Sequence, residues 1–259
     1  MRVVVGGATG KLGGLVARLI TEREDMELVG AVVSPDSDRL GTELFPGIEA
    51  ASPHDLTSLL SGADVYVDLT SPSAAESNLP SVPEGGVNAV VGTTGISEET
   101  MQTFSQGISE KGLSAVVSPN FSVGVNLLWG LCDLLSRVLK DYDVEIIETH
   151  HNQKRDAPSG TAARAARIIS EGAGIERMVH GRQGETGTRG REIGVHAVRA
   201  GDVVGEHTVM FAGNKERLEI THRAHSREAF AEGCLTAIEW VSPLKDGLIH
   251  NMDEVLGLK

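Results

Sequence analysis

The sequence predicts an α/β protein in which a doubly wound parallel sheet is joined to a second α+β domain with a mostly antiparallel mixed sheet. Three observations predict it. Short β-branched runs alternate with helix-like segments as far as residue 121. Beyond that point the pattern changes to a long helix, a strand, a second helix and then consecutive strand-like runs. Glycine-containing turns, not helices, separate those last runs. A parallel sheet needs crossover helices between its strands, whereas antiparallel strands need only tight turns.

Val3-Val4-Val5 is a strand that ends in glycines, and residues 11–24 place Leu12, Leu15, Val16, Leu19 and Ile20 on one helical face. Residues 27–33, 63–69, 89–91 and 114–117 read as further short strands, with helices at 53–60 and 98–111 among them. A helix is predicted over 123–139, a strand over 143–150 and a helix from about 161 to 171. The runs 191–199, 203–212 and 217–224 follow each other through Gly201 and Gly213 turns, as in an antiparallel meander. Residues 227–241 are helical again.

Composition narrows the function classes. Hydrophobic residues make up 40% of the 259 and charged residues 23%, the proportions of an ordinary soluble protein. A net charge of −13 without any Lys/Arg block opposes a nucleic-acid partner. The longest apolar stretch, 123–139, is interrupted by Asn126, Asp133 and Arg137, which predicts a packed helix and no membrane span. No signal-peptide layout precedes the first strand. Cys132 and Cys234 lie in amphipathic stretches as buried thiols, so a cytoplasmic location is expected.

Gly7-Ala8-Thr9-Gly10-Lys11-Leu12-Gly13 stands directly after a strand and opens a helix. Glycines let a backbone approach a pyrophosphate, and a helix N-terminus favours its charge. Such a turn also forms for packing alone; the flanking strands and the N-terminal position favour dinucleotide binding. About 20 residues on, where an acid would meet the ribose of NADH, the chain has Ser34. With Lys11 able to approach a phosphate, NADPH is the expected cofactor and NADH a second one, unless Asp36 or Asp38 serves the ribose. Gly92-Thr93-Thr94-Gly95 follows another short strand, outside the carboxyl ends of the strands where ligands of such folds collect; alone it is an ordinary turn.

Residues 148–161 read Glu-Thr-His-His-Asn-Gln-Lys-Arg-Asp-Ala-Pro-Ser-Gly-Thr. His150 is a candidate proton donor, and Lys154 can hold a carboxylate or protonate a nitrogen. Ser159, Gly160 and Thr161 start a helix and offer hydroxyls and N–H groups to an anion. Together they describe a pocket for a small dicarboxylate or imine. Ser159 can also be a plain helix cap. No metal is expected: His150 and His151 point to opposite sides of a strand, and no further ligand stands at the right spacing. His222 and His225 read as structural or exposed, and neither cysteine has the polar surroundings of a nucleophile.

The fourteen-residue loop resembles the E-x-H-H-x-x-K-x-D-A-P-S-G-T signature of the 4-hydroxy-tetrahydrodipicolinate reductase family. The resemblance runs on through the glycine loop, Gly92 to Gly95, Asn120 to Asn126, Arg199 to Thr208 and Glu219 to Ala224. It implies a Rossmann-type dinucleotide-binding domain over residues 1–121. A substrate-binding and oligomerisation domain follows over 122–228, whose sheet builds a homotetramer, and residues 229–259 return to the first domain. It also implies reduction of a small cyclic dicarboxylate imine by NADPH or NADH in diaminopimelate and lysine biosynthesis. By position His150 matches the family's acid–base residue and Lys154 its proton donor, while His151, Gly160 and Thr161, beside Ser159, match contacts to the substrate carboxylates. Gly7, Ala8, Thr9, Gly10, Lys11 and Leu12 match cofactor contacts, as do Gly92, Thr93 and Thr94 and then Ser118, Pro119, Asn120 and Phe121. Ser34-Pro35 departs from the Glu-Arg that many members carry at the adenosine ribose. Two other readings compete: an aspartate dehydrogenase of similar layout, and a non-catalytic nucleotide-sensing regulator.

Overall fold

A computed structural model describes residues 1–258 and divides into two compact units. The first comprises Met1–Ser122 together with the chain from Glu228 onward; the second is Val123–Arg227.

The first unit contains β1 (Arg2–Gly6), α1 (Gly13–Thr21), β2 (Glu27–Val32), β3 (Glu43–Phe45), β4 (Ile48–Ala51), α2 (Leu56–Leu60) and β5 (Val65–Asp68). Then come α3 (Pro72–Asn78), α4 (Ser81–Glu84), β6 (Asn88–Val91), α5 (Glu98–Glu110) and β7 (Ala115–Val117). Its sheet has the order β13-β7-β6-β5-β1-β2-β4-β3, where β13 is Ile249–His250. Every pairing is parallel except β3 with β4. Val3, Val4, Val5, Val65 and Val67 are wholly buried, as strands covered on both faces must be, and that is why they read as unbroken apolar runs. The sequence gives no strand signal for β3 and β4, because three or four residues are too few to display a period.

The longest helix of this unit lies beyond Val123–Arg227 in the chain. It runs Glu228–Val241, and its Ala231, Cys234, Leu235, Ile238 and Val241 share one core with Val3, Val5, Val16 and Ile20. A side chain at Gly233 would overlap the Phe121 carbonyl, so the helix reaches this depth only through a glycine. Asn88 Nδ2 donates to the carbonyls of Val241, Ser242 and Leu244, which ties off the helix end.

The second unit holds α6 (Val123–Val138), β8 (Asp143–His150), α7 (Gly160–Ala173), β9 (Met178–Val179), β10 (Ile193–Arg199), β11 (Gly205–Ala212) and β12 (Arg217–Ala224). The remaining two helices, α8 (Glu228–Val241) and α9 (Met252–Val255), belong to the first unit. The sheet of the second unit has the order β12-β11-β8-β10-β9. This corrects the expected meander. β8 stands between β10 and β11, parallel to the former and antiparallel to the latter, so only β11 and β12 form a hairpin. Gly201 marks where the chain turns, but a turn residue does not specify which strand the chain lands beside. One sheet face packs Val144, Ile146, Val195, Val209 and Phe211 against Val125, Trp129, Cys132, Ala165 and Ile169 of α6 and α7. Burial pushes the Cys132 thiol up to about 12, leaving it unreactive. No helix among the described residues is long and apolar enough to cross a membrane.

Candidate functional site

In the first unit the glycine loop is a tight turn. Gly7 has φ of +80°, and a Cβ there would overlap the Leu69 carbonyl oxygen. A Cβ on Gly13 would overlap the Gly7 carbonyl oxygen, and one on Gly10 would lie 3.0 Å from it. Gly7 and Gly13 are therefore sterically required, while at Gly10 the contact is only tight. Gly7 and Ala8 donate to Val32 O, and Gly10 donates to Gly7 O at 2.8 Å, whereas the N–H groups of Thr9, Lys11 and Leu12 have no partner among the described residues. Three unmatched donors beside the start of α1 suit a pyrophosphate. Ser34 is exposed, with its hydroxyl accepting from Asp36 N at 3.4 Å. A cleft of about 480 Å³ has Ala8 and Thr9 on one side and Ser37, Asp38 and Arg39 on the other.

The Gly92–Gly95 turn is anchored by a residue that the sequence reading passed over. Asp68, fully buried at the end of β5, accepts from Tyr66 Oη (2.8 Å), Thr70 Oγ1 (2.7 Å) and Thr93 Oγ1 (2.6 Å). Burial and then the Asp68 charge raise the Tyr66 phenol well above its usual pKa, so it stays a donor. Thr93 is thus engaged within the protein, leaving its main chain and the exposed Thr94 to face a ligand. Ser118 Oγ donates to the Asn120 carbonyl at 2.8 Å; Pro119 is exposed and Phe121 buried.

In the second unit, β8 places Glu148 and His150 on one face, two residues apart. His150 Nδ1 meets Glu148 Oε2 at 2.5 Å. Arg199, paired with His150 across β8 and β10, grips both carboxylate oxygens at 2.8 Å. Burial alone would raise the Glu148 pKa; Arg199, His150 and the Ser159 N–H outweigh it and hold the carboxyl below its usual range. Burial pushes the His150 pKa down, opposed by Glu148 and reinforced by the charges of Lys154 and Arg199. Lys154 Nζ lies 2.9 Å from Asp156 Oδ1, and His151 is half-buried.

Ser159 is the N-cap of α7: its Oγ accepts from Ala162 N at 3.2 Å and meets His207 Nε2 at 3.0 Å. The capping alternative therefore describes its side chain, which is buried. Gly160 is exposed, and the space where a Cβ would project is open for 4 Å around, so the helix start presents an accessible positive end. Thr161 follows, half-buried. The loop brings His150, Ser159 and the α7 start together, and the sheet adds Arg199 and His207. Strand spacing could have flagged Glu148; nothing local to the sequence points to Arg199 or His207, which meet it through strand pairing.

Comparison with known proteins identifies the family of the chain. Residues 1–121 match the family model described as dihydrodipicolinate reductase, N-terminus, and residues 124–256 match that for its C-terminus. A 4-hydroxy-tetrahydrodipicolinate reductase of Methanothermobacter thermautotrophicus is 48% identical, over 100% of this chain and 99% of its own. One from Methanosarcina barkeri is 46% identical over the whole of both chains. The solved structure of dipicolinate-bound dihydrodipicolinate reductase from Paenisporosarcina sp. TG-14 superposes with a TM-score of 0.80 at 29% identity, covering 97% of each chain. With both family models matched and relatives this similar along its full length, the chain belongs to the dihydrodipicolinate reductase family.

Proposed function

We propose that the chain is a cytoplasmic reductase that converts 4-hydroxy-tetrahydrodipicolinate to tetrahydrodipicolinate in diaminopimelate and lysine biosynthesis. The observation that carries it is the placing of His150, a buried imidazole held by a carboxylate, beside the accessible start of α7. That unites a proton donor with a seat for a dianion. The reduced nicotinamide dinucleotide supplies hydride when bound by the glycine loop. The chain's own residues do the rest. The α7 N-terminus, through Gly160 and Thr161, and His151 hold the ring carboxylates. The reaction takes up one hydride and one proton and releases the 4-hydroxyl as water. Lys154 protonates the departing hydroxyl and regains a proton from the neighbouring ring carbon. His150, with Nδ1 facing Glu148, gives its Nε2 proton to the ring as hydride adds. The test is NADPH oxidation by the purified protein coupled to dihydrodipicolinate synthase, with NADH in parallel. No oxidation there, with L-aspartate oxidised instead, overturns the reading in favour of an amino-acid dehydrogenase.

NADPH is the preferred reductant in this proposal and NADH the second. Arg2, Arg18 and Arg23 all lie in ion pairs, whereas Arg39 is in none among the described residues and lines the cleft beside Ala8 and Thr9. It takes the place of the cation missing at Pro35, while Asp38 in the same cleft can accept from a free ribose hydroxyl. A hydrogen bond to a charged group is worth roughly 1.5–3 kcal/mol. Arg39→Ala should therefore weaken 2′,5′-ADP by roughly 10- to 100-fold in calorimetry, and 5′-AMP far less. Equal loss for both would remove Arg39 from 2′-phosphate recognition.

The enzyme is further proposed to be a homotetramer built through the sheet face opposite α6 and α7. Ile147 (38% exposed) and Val198 (41%) lie uncovered there, while Ile146 and Val195 on the other face are buried. Ile147→Lys combined with Val198→Lys should lower the mass measured by sedimentation; an unchanged mass would rule this face out.

A further inference from the structure

The proposed reaction uses His150 but leaves unexplained why so much buried polar structure surrounds it. We propose that Glu148, clamped by Arg199, is the positioning residue that sets both the tautomer and the proton affinity of His150 and ties that ring to the start of α7. The proposal rests on the reading of His150 as the acid–base group.

Glu148 has no solvent exposure, and its two oxygens receive four contacts. Oε1 accepts from Ser159 N at 3.0 Å and from Arg199 Nη2 at 2.8 Å. Oε2 accepts from Arg199 Nη1 at 2.8 Å and faces His150 Nδ1 at 2.5 Å. An ionised carboxylate only accepts, so Nδ1 must carry a hydrogen and Nε2 is left as the nitrogen that gains and loses the working proton. Arg199 answers a second requirement. A lone buried carboxylate this close would hold His150 as a permanent imidazolium, whereas the guanidinium, held bidentately, takes up most of that charge. Orientation thus comes from Glu148, and freedom to cycle comes from Arg199. Arg199 Nη2 also donates to the Asp156 carbonyl at 2.6 Å, which extends the clamp into the loop carrying Lys154.

The other side of the ring is shaped to match. A Cβ on Gly205 would lie 3.0 Å from His150 Nε2, so the glycine leaves that edge of the ring uncrowded. The His207 ring stands edge-on with its centroid 5.2 Å away, and its Nε2 meets Ser159 Oγ. Two independent contacts, Glu148 to Ser159 N and His207 to Ser159 Oγ, therefore fix the first turn of α7 relative to His150. The ionisable groups bearing on the ring are Glu148 on its own strand, Arg199 on β10, Lys154 and Asp156 in the loop, and His207 on β11, with His222 behind it on β12. Burial brings the His207 pKa down to about 3, so it is neutral, and Lys154 and Asp156 pair with each other. The Glu148–Arg199 pair is left as the main control.

Glu148→Gln keeps the shape and removes the charge; Arg199→Gln removes the opposing charge. Each is to be read by the ¹⁵N and ¹H titration of His150, and by the pH dependence of kcat. Glu148→Gln should lower the His150 pKa by about one unit or more, moving the limb on which protonated His150 is lost to lower pH. Arg199→Gln should move both in the opposite direction. In each, kcat falls more than KM rises. A merely structural role predicts no such opposed shifts. A folded Glu148→Gln protein with wild-type His150 titration, or shifts of the same sign in both variants, overturns the proposal. If Glu148→Gln does not fold, Arg199→Gln and Glu148→Asp decide it, the latter keeping the Nδ1–H tautomer. The titration needs no substrate. A wild-type protein inactive in the coupled assay would overturn the function while leaving this test intact.

Discussion

His150→Asn is expected to lose about 10²–10⁴-fold in kcat, the contribution typical of a positioned acid–base group, with little change in KM. Asparagine is the informative replacement. Its amide N–H falls close to the place of Nδ1 and can still donate to Glu148, so the buried carboxylate keeps its partners. What it lacks is the ring nitrogen Nε2. The melting temperature should accordingly change by only a few degrees, which separates lost chemistry from lost structure. The wild-type pH profile carries the same signature. Burial, with Lys154 and Arg199, lowers the His150 pKa, so the protonated form is depleted as pH rises through a value below the ordinary 6.5. The kcat of wild type should fall across that window and His150→Asn should flatten the fall. Full turnover in the variant would take His150 out of the mechanism.

Gly7→Ala is expected to damage both stability and cofactor binding. The residue would be held at φ of +80°, a strain of about 1–3 kcal/mol for a non-glycine residue. Its Cβ would also overlap the Leu69 carbonyl, and forced overpacking typically costs another ~1–3 kcal/mol. Backbone cannot rotate away as a side-chain tip can. The turn must open, and Thr9, Lys11 and Leu12 then cease to point their N–H groups at one place. Dinucleotide affinity should fall by at least about tenfold in calorimetry, and the melting temperature by about 2–4 °C per kcal/mol. Gly86→Ala is the control. Gly86 has φ of +72° but open space where the Cβ would project, so it bears the strain without the collision. Equal effects of the two substitutions would show that the collision with Leu69 is unimportant.

The regular elements were legible where their signal was long and local. The apolar face from Leu12 to Ile20 and the amphipathic helix from Val123 were legible from a helical period, and the Val3–Val5 strand from an unbroken apolar run buried on both faces. Strands β3 and β4 were not legible, since their few residues do not complete a pattern. The expected order of β10, β11 and β12 failed for another reason. Turn chemistry indicates reversal, but the insertion of β8 between β10 and β11 depends on which apolar faces meet α6 and α7.

The candidate sites divide along the same line. Contiguity and spacing by themselves determined the glycine turn, the His150–Thr161 loop and the capping position of Ser159, because each acts through residues a few positions apart. Only the tertiary structure decided that Thr93 is engaged by buried Asp68, that Arg39 lines the cleft beside Thr9, and that Arg199 and His207 converge on Glu148, His150 and Ser159. Arg199 lies 51 residues from Glu148 in the chain. The register of β8 against β10 and β11 brings them within hydrogen-bonding distance, and that register is set by burying one face of each strand, not by any pattern around the residues themselves.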